Sequence, residues 1–342
     1  MKPLILCDPY PRALAQIFSD DDRARLEAIG DVIWHDGSPA SDEHLEKYLP
    51  QAVALIGQSD LDKARLDRAP NLKIVANVES NFLPNVDYDE CFRRGIHVVA
   101  TSPVFAGAVA EMALGMALGC ARGIHSGDAQ MRSGTEVLYD EGANQDSFML
   151  SGKTLGIVGM GNLGRALLPL LKPFGGKILA HDPWIHDSVL REMGVQPASA
   201  KEMFAESKVV FILAATTSEN AGAFGREHFA SMKKGSVLVL VSRAGVVDFD
   251  ALLDACESGH IRAAIDVFPD EPIHANARVR RTPNSLLSAH RAGNVPEVWP
   301  LMGEMVTDDI ELVLRGLPPQ RCARAVRETV SRLRSKPSEQ TS

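Results

Sequence analysis

Cysteine is scarce in this 342-residue chain: Cys7, Cys91, Cys120, Cys256 and Cys322 are odd in number and none form a CxxC pair. That excludes a disulfide framework and leaves no set of thiols at metal-binding spacing. All but Cys322 stand in apolar or helical contexts, so the expectation is reduced core thiols in a cytoplasmic protein without a metal site. No uncharged apolar run of about 18 residues is present, so no transmembrane helix is expected. The opening Met1-Lys-Pro-Leu-Ile-Leu-Cys-Asp8 turns acidic too soon for a signal peptide and reads as a first strand. Positive charge is not in excess: the formal net charge is −8, which argues against nucleic acid or an anionic membrane as the main partner. No internal repeat shows beyond an alternation of strand and helix signals.

What is present is ordinary globular composition, 45% hydrophobic and 23% charged, at a length that suggests two domains. Residues 1–100 carry strand signals at Leu4–Cys7, Val32–Trp34, Val53–Ile56, Leu72–Asn77 and His97–Ala100. Helix signals lie between them: Asp22–Ile29 with Asp20 to Asp22 as caps, a helix opened by Ser41 with His44 in a near capping-box position, Leu61–Arg68, and Tyr88–Arg94 ended by Gly95. Repeated βα units imply a parallel sheet with helices on both faces, and ligands then sit beyond the carboxyl ends of the strands. Those ends carry Gly57-Gln58-Ser59 and Val78-Glu79-Ser80-Asn81, so Gln58, Glu79, Ser80 and Asn81 are the substrate-side candidates. Val104 to Ala121 has one charge, Glu111, and reads as a buried helix at a domain or subunit interface. Residues 133–151 have loop composition. Residues 294–316 read as a long helix kinked near Pro296 and Pro300 that leads back to the first domain, and the polar stretch from about Arg327 to Ser342 reads as a frayed tail.

The most informative stretch is Gly152-Lys-Thr-Leu-Gly-Ile-Val-Gly-Met-Gly-Asn-Leu-Gly-Arg165. A short apolar run, a glycine turn and an amphipathic segment predict strand, turn and helix. In a dinucleotide-binding turn Gly159 allows the sharp bend, Gly161 lets the backbone approach a pyrophosphate, and Gly164 lets helix pack on strand. The helix N-terminus offers free N–H groups to the phosphates. A second apolar run from Lys177 ends in His181-Asp182, and Asp182 stands 18 residues after Gly164. A carboxylate there accepts from both ribose hydroxyls and repels a 2′-phosphate, which favours NAD over NADP.

Three further residues follow predicted strands of the same domain: Arg243, Glu271 and His290. An arginine grips a planar carboxylate bidentately, and a histidine exchanges protons near neutrality. A carboxylate beside a histidine orients its ring. Alone, Arg243 reads equally as an ion-pair partner, Glu271 as a solvated loop charge and His290 as a core histidine. In order after the nucleotide turn they are far more specific.

With these motifs the chain resembles the D-2-hydroxyacid dehydrogenase family, over roughly residues 50–315 and most strongly over 152–293. The resemblance rests on Leu155-Gly-Ile-Val-Gly-Met-Gly-Asn-Leu-Gly164, Ser242-Arg-Ala-Gly-Val-Val-Asp248, Asp266-Val-Phe-Pro-Asp-Glu-Pro272 and His290-Arg-Ala-Gly293. It implies an α/β fold of two Rossmann-like domains: a flavodoxin-like substrate domain of residues 1–101 plus 295–325, and a doubly wound NAD-binding domain of residues 102–294, with 326–342 as tail. It implies NAD-dependent interconversion of a 2-hydroxy acid and its 2-oxo acid in a cleft between the domains, usually in a homodimer. It implies that Arg243 binds substrate carboxylate and carbonyl, that His290 is the acid/base, and that Glu271 is its partner. Cofactor contacts are implied at Gly159, Met160, Gly161, Asn162, Leu163, Gly164, Asp182, Thr217 and Asp266.

Departures concern the substrate. The family's glycine-rich carboxylate loop is here Val78-Glu-Ser-Asn-Phe-Leu-Pro-Asn-Val-Asp87, without those glycines and one residue longer. Glu79 either points away and caps a backbone turn, or meets hydroxyl or cationic groups of the substrate. Ala244 stands for a common glycine and Leu240 for a common asparagine. Arg291 follows the histidine and is read as a second anion contact or a solvent-facing residue. Two other readings stay open on the same residues: phosphite-type oxidation on this fold, and an NAD(H)-sensing binding protein of the corepressor type. Formate oxidation is disfavoured because Glu271 stands where those enzymes carry glutamine.

Overall fold

The computed structural model describes residues 2–138 and 146–332. Parts of the expected loop at 133–151 and of the tail beyond Arg327 lie outside the described residues. The strands in chain order are β1 (Leu4–Asp8), β2 (Asp31–Trp34), β3 (Ala52–Gly57), β4 (Ile74–Asn77), β5 (His97–Ala100), β6 (Leu155–Val158), β7 (Ile178–His181), β8 (Gln196–Pro197), β9 (Val209–Ile212), β10 (Ser236–Leu240), β11 (Ile261–Ile265), β12 (Ser285–Leu287) and β13 (Ala323–Arg324). They belong to two compact units, one of residues up to Phe105 and from Val295 on, the other Ala106–Asn294.

The sheet of the first unit runs β13-β5-β4-β3-β1-β2, parallel throughout except for β13, which pairs antiparallel with β5. The order β2-β1-β3-β4-β5 is the flavodoxin-like winding. Ile5, Leu6, Leu55, Ile56, Ile74 and Val75 are fully buried, which is why these strands read as continuous apolar runs rather than alternating ones. The capping of the first long helix differs from expectation. Asp20–Ile29 starts after Ser19, whose hydroxyl accepts from Asp22 N while Asp22 accepts back from Ser19 N. The hydroxyl residue one position upstream completes a reciprocal box that the aspartates alone do not. Ser41 caps its helix through His44 N, and Gly95, at φ 73°, ends Tyr88–Arg94. A short helix at Leu14–Ile17 was not anticipated. In the helix Val298–Leu314, Pro296 lies outside and Pro300 falls in the first turn. N–H groups there have no intrahelical acceptor, so neither proline interrupts the helix.

The sheet of the second unit runs β12-β11-β10-β9-β6-β7-β8, all parallel. Strand order reverses between β6 and β9, the switch point beside which such sheets bind ligands. Phe204, Phe211 and Phe229 are buried with Leu238, Leu240 and Ile265 in its core. Ser102–Arg122 is long and apolar enough to cross a membrane by length and composition. Counting only uncharged runs passed over it because Glu111 interrupts it. Its helical part, Ala106–Arg122, packs on the helix Asn162–Leu171 and on β10, β11 and β12, burying Val109, Ala113, Met116 and Ala117. It is a core helix. The helix Ile124–Ser133, also unanticipated, buries none of its residues.

All five cysteines are free and buried, Cys322 included, which corrects its separate treatment. Burial pushes the thiols of Cys120 and Cys256 up to about 12, so neither is a nucleophile near neutrality.

Candidate active site

The nucleotide turn lies at the switch point. Gly159 follows β6 with φ 90°, and its N–H donates to His181 O at 3.0 Å. A Cβ at Gly159 would stand 2.7 Å from the backbone of Ala214, just beyond β9. A Cβ at Gly164 would stand 2.3 Å from Gly159 O, so the helix sits directly against the turn. At Gly161 a Cβ would meet nothing within 4 Å. Packing therefore demands the first and third glycines, while the second faces open space at the start of the helix Asn162–Leu171. The first helical N–H groups, those of Asn162 and Leu163, have no acceptor within the helix.

Asp182, the residue after β7, turns towards this loop. Its Oδ2 accepts from Met160 N at 2.7 Å and its Oδ1 from Trp184 N at 2.9 Å. Met160, expected among the cofactor contacts, is fully buried, and its N–H donates to Asp182. Arg165 Nε donates to Met160 O at 3.1 Å. Thr217 lies in the loop after β9, buried, with its N–H on Asn220 Oδ1 at 2.7 Å and its hydroxyl accepting from Glu219 N at 3.2 Å. An open approach at Gly161, a free helix N-terminus and a half-buried carboxylate at the end of the next strand fit a dinucleotide.

Further along the sheet, His290 Nδ1 lies 2.5 Å from Glu271 Oε2. The other oxygen of Glu271 accepts from Phe268 N at 2.9 Å, which fixes the carboxylate relative to the end of β11. His290 itself has φ 51°, a left-handed conformation that costs about 1–2 kcal/mol for a residue with a side chain. Asp266 holds that turn. Its backbone O accepts from His290 N at 2.8 Å, and its two carboxylate oxygens accept from Arg291 N at 2.9 Å and Ala292 N at 3.0 Å. Asp266 is fully buried, and its carboxylate holds the histidine turn.

Arg243 follows β10, and its Nη1 donates to Ser242 O at 2.7 Å. Ser242 in turn donates to Ile212 O and Ala214 O, tying the ends of β10 and β9 together. Burial pushes the Arg243 guanidinium below its usual range, while the charge of Glu271 pushes it back up. Glu271 thus acts on both Arg243 and His290. The Arg291 side chain is exposed.

In the first unit, Gln58 Oε1 accepts from Val78 N at 3.3 Å, and Asn81 Nδ2 donates to Ser80 Oγ at 3.4 Å. The Glu79 carboxylate accepts from the backbone N–H of Ser80, as expected of a residue that caps a backbone turn. It pairs with Arg12 Nη2 at 2.9 Å, and the Arg12 guanidinium lies 4.7 Å from the centre of the Trp299 ring. Neither Arg12 nor Trp299 was singled out in the sequence. The signal available was an arginine just past the end of β1, on the ligand side of a parallel sheet.

Residues 114–292 match the NAD binding domain of the D-isomer specific 2-hydroxyacid dehydrogenase family. A glyoxylate reductase of Korarchaeum cryptofilum is 31% identical, over 84% of this chain and 87% of its own length. The chain belongs to this family. A D-3-phosphoglycerate dehydrogenase of Mycobacterium leprae is also 31% identical, over 86% of this chain but 55% of its own length. The chain therefore spans about half the length of the phosphoglycerate dehydrogenases it matches. Among solved structures, a phosphoglycerate oxidoreductase from Rhizobium etli is 43% identical, covers 96% of this chain and 100% of its own, and superposes with a TM-score of 0.87. These relatives lend no support to a phosphite-oxidising or a corepressor-type reading.

Proposed function

We propose that this chain is an NAD-dependent enzyme that interconverts a small 2-hydroxy acid and its 2-oxo acid, with His290 as proton donor and acceptor. The observation that carries this reading is the 2.5 Å pairing of His290 Nδ1 with Glu271 Oε2, at strand ends in the same sheet as the nucleotide turn. With Nδ1 engaged, Nε2 is the nitrogen that exchanges a proton with the substrate oxygen. Glu271 fixes the ring and balances its charge when protonated. Arg243, desolvated and close to Glu271, offers a rigid fork to the substrate carboxylate and polarises the adjacent carbonyl. Its Ser242 anchor places that fork at the switch-point end of the sheet.

The amides of Gly161, Asn162 and Leu163 would hold a pyrophosphate, Asp182 the adenosine ribose, and the loop at Thr217 the strand end beside it. When bound, NAD supplies the hydride acceptor or donor. Asp182 keeps one acceptor site on each oxygen after its two backbone bonds, and its charge favours NAD over NADP. The exposed apolar residues Ile124, Met131, Val137, Leu138 and Met149 support a homodimer formed through this surface. Five buried free thiols fit the reducing cytoplasm.

The test is steady-state NADH oxidation with glyoxylate, hydroxypyruvate and pyruvate, run in parallel with NADPH. Turnover of at least one acid with NADH preferred is expected. Clear NADH binding without turnover of any 2-oxo acid would overturn the reading.

A further inference from the structure

We infer that the Trp184 indole is the platform on which the adenine ring of NAD stacks; this rests on the cofactor placement proposed above. Strand order gives the cofactor a direction. The sheet of this unit runs β12-β11-β10-β9-β6-β7-β8, and the nucleotide turn follows β6. Arg243 follows β10, Glu271 follows β11 and His290 follows β12, all on one side of that turn. Asp182 and Trp184 follow β7, on the other side. A dinucleotide carries its two bases on opposite sides of its pyrophosphate. With the reacting nicotinamide towards Arg243 and His290, the adenosine half runs over the end of β7. That strand pairs with β6 along its whole length, one strand spacing of about 4.8 Å away.

The chain has three tryptophans. Trp34 meets the Phe18 ring at 5.5 Å between centroids and donates from Nε1 to Glu27 at 3.0 Å. Trp299 meets Phe105 at 6.0 Å and carries the Arg12 guanidinium over its face. Trp184 is 44% exposed, and its indole has no ring, cation or hydrogen-bond partner among the described residues. An indole left in water forgoes the burial that makes tryptophan stabilising. Its backbone is nevertheless fixed. Trp184 N donates to Asp182 Oδ1 at 2.9 Å, and Asp182 Oδ2 accepts from Met160 N at 2.7 Å. One carboxylate therefore ties the open indole to the phosphate-binding turn.

The chemistry of the two residues differs. Every base presents a π face, so stacking on an aromatic side chain needs no hydrogen bond to the base edge. It is also indifferent to a phosphate on the ribose. Asp182 sets the choice between NAD and NADP, whereas Trp184 strengthens both through the base.

The experiment measures binding of NADH, NADPH, ADP-ribose and NMNH by calorimetry to the parent, Trp184→Ala, Trp184→Phe and Asp182→Ser. ADP-ribose carries the adenine without the nicotinamide, and NMNH the nicotinamide without the adenine. Trp184→Ala is expected to weaken NADH, NADPH and ADP-ribose by about five- to 100-fold each and to leave NMNH unchanged. Trp184→Phe keeps most of the affinity. ADP-ribose quenches indole fluorescence in the parent, and the quenching disappears in Trp184→Phe, which retains Trp34 and Trp299. Unaltered affinities in Trp184→Ala overturn the stack. If Asp182→Ser then still narrows the preference for NADH, the cofactor placement stands without it; if neither variant moves any affinity, both fall. Equal weakening of all four ligands by Trp184→Ala reflects a structural role and also overturns the stack, as does Trp184→Phe binding no better than Trp184→Ala. If Trp184→Ala does not fold, Trp184→Leu, which keeps bulk without an aromatic face, decides by the same affinities.

Discussion

His290 Nδ1 and Glu271 Oε2 stand 2.5 Å apart, and the glutamate's other oxygen is held by Phe268 N, so the histidine ring is oriented by a carboxylate that is itself fixed. Glu271→Gln keeps the shape but removes the charge and lets the amide present either its oxygen or its nitrogen to the ring. The expected result is a fall in kcat of at least about tenfold with little change in NADH affinity, read by steady-state kinetics and fluorescence titration.

Asp266 supports the same histidine from below. In Asp266→Asn one side-chain position becomes an NH2 group facing the N–H of Arg291 or Ala292, two donors in contact. A loss of about 1–3 kcal/mol in denaturant unfolding is expected, together with reduced kcat. A fully stable variant with weakened NADH binding alone would return Asp266 to the role of a cofactor contact.

The three turn glycines should separate by what they do. Gly164→Ala places a Cβ 2.3 Å from Gly159 O, a backbone atom that cannot swing away, so a loss of about 1–3 kcal/mol or more is expected. Gly161→Ala meets nothing within 4 Å, so stability should hold within about 0.5 kcal/mol. The same variant should weaken NADH binding several-fold, because the added methyl occupies the approach of the pyrophosphate.

Asp182 serves the turn and the cofactor at once. Asp182→Ser should lower stability by about 1 kcal/mol through the lost Met160 and Trp184 bonds. It should also narrow the NADH over NADPH preference in kcat/KM by at least about tenfold. An unchanged preference would confine Asp182 to holding the turn.

Glu79 has a pH signature. Burial raises its carboxyl above the ordinary glutamate value, and Arg12 only partly offsets this. The folded state therefore holds the proton more tightly than the unfolded chain. Stability is greatest below the unfolded value of about 4.3 and falls as pH rises through the folded one. Denaturant midpoints of the parent and Glu79→Gln, measured from about pH 4 to 8, should diverge in favour of the variant as pH rises. Divergence in the opposite direction would mean that Arg12 outweighs burial.

Much of the fold was legible in the sequence because parallel strands buried on both faces leave unbroken apolar runs. Leu4–Asp8 and His97–Ala100 lie within a residue of where those runs predict them. Elements that bury little, such as the helix Ile124–Ser133, leave no such periodicity and were missed. At the site, Glu271 and His290 were legible because each lies in the segment that follows a strand, and the strands they follow, β11 and β12, are neighbours in the sheet. Arg12, Glu79 and Trp299 are distant in sequence, and only the winding of the chain unites them. The commitment of Asp266 to the histidine turn was also hidden, because two backbone N–H acceptances depend on a left-handed residue that no pattern announces.

The most direct test of the account is NADH oxidation by the parent and by His290→Ala, with a 2-oxo acid that the parent reduces and with NADH binding measured on both. The account expects turnover to fall about 100- to 10,000-fold in the variant while NADH affinity stays within a few-fold. Turnover that survives in His290→Ala would contradict it, because no other group in this reading exchanges the proton.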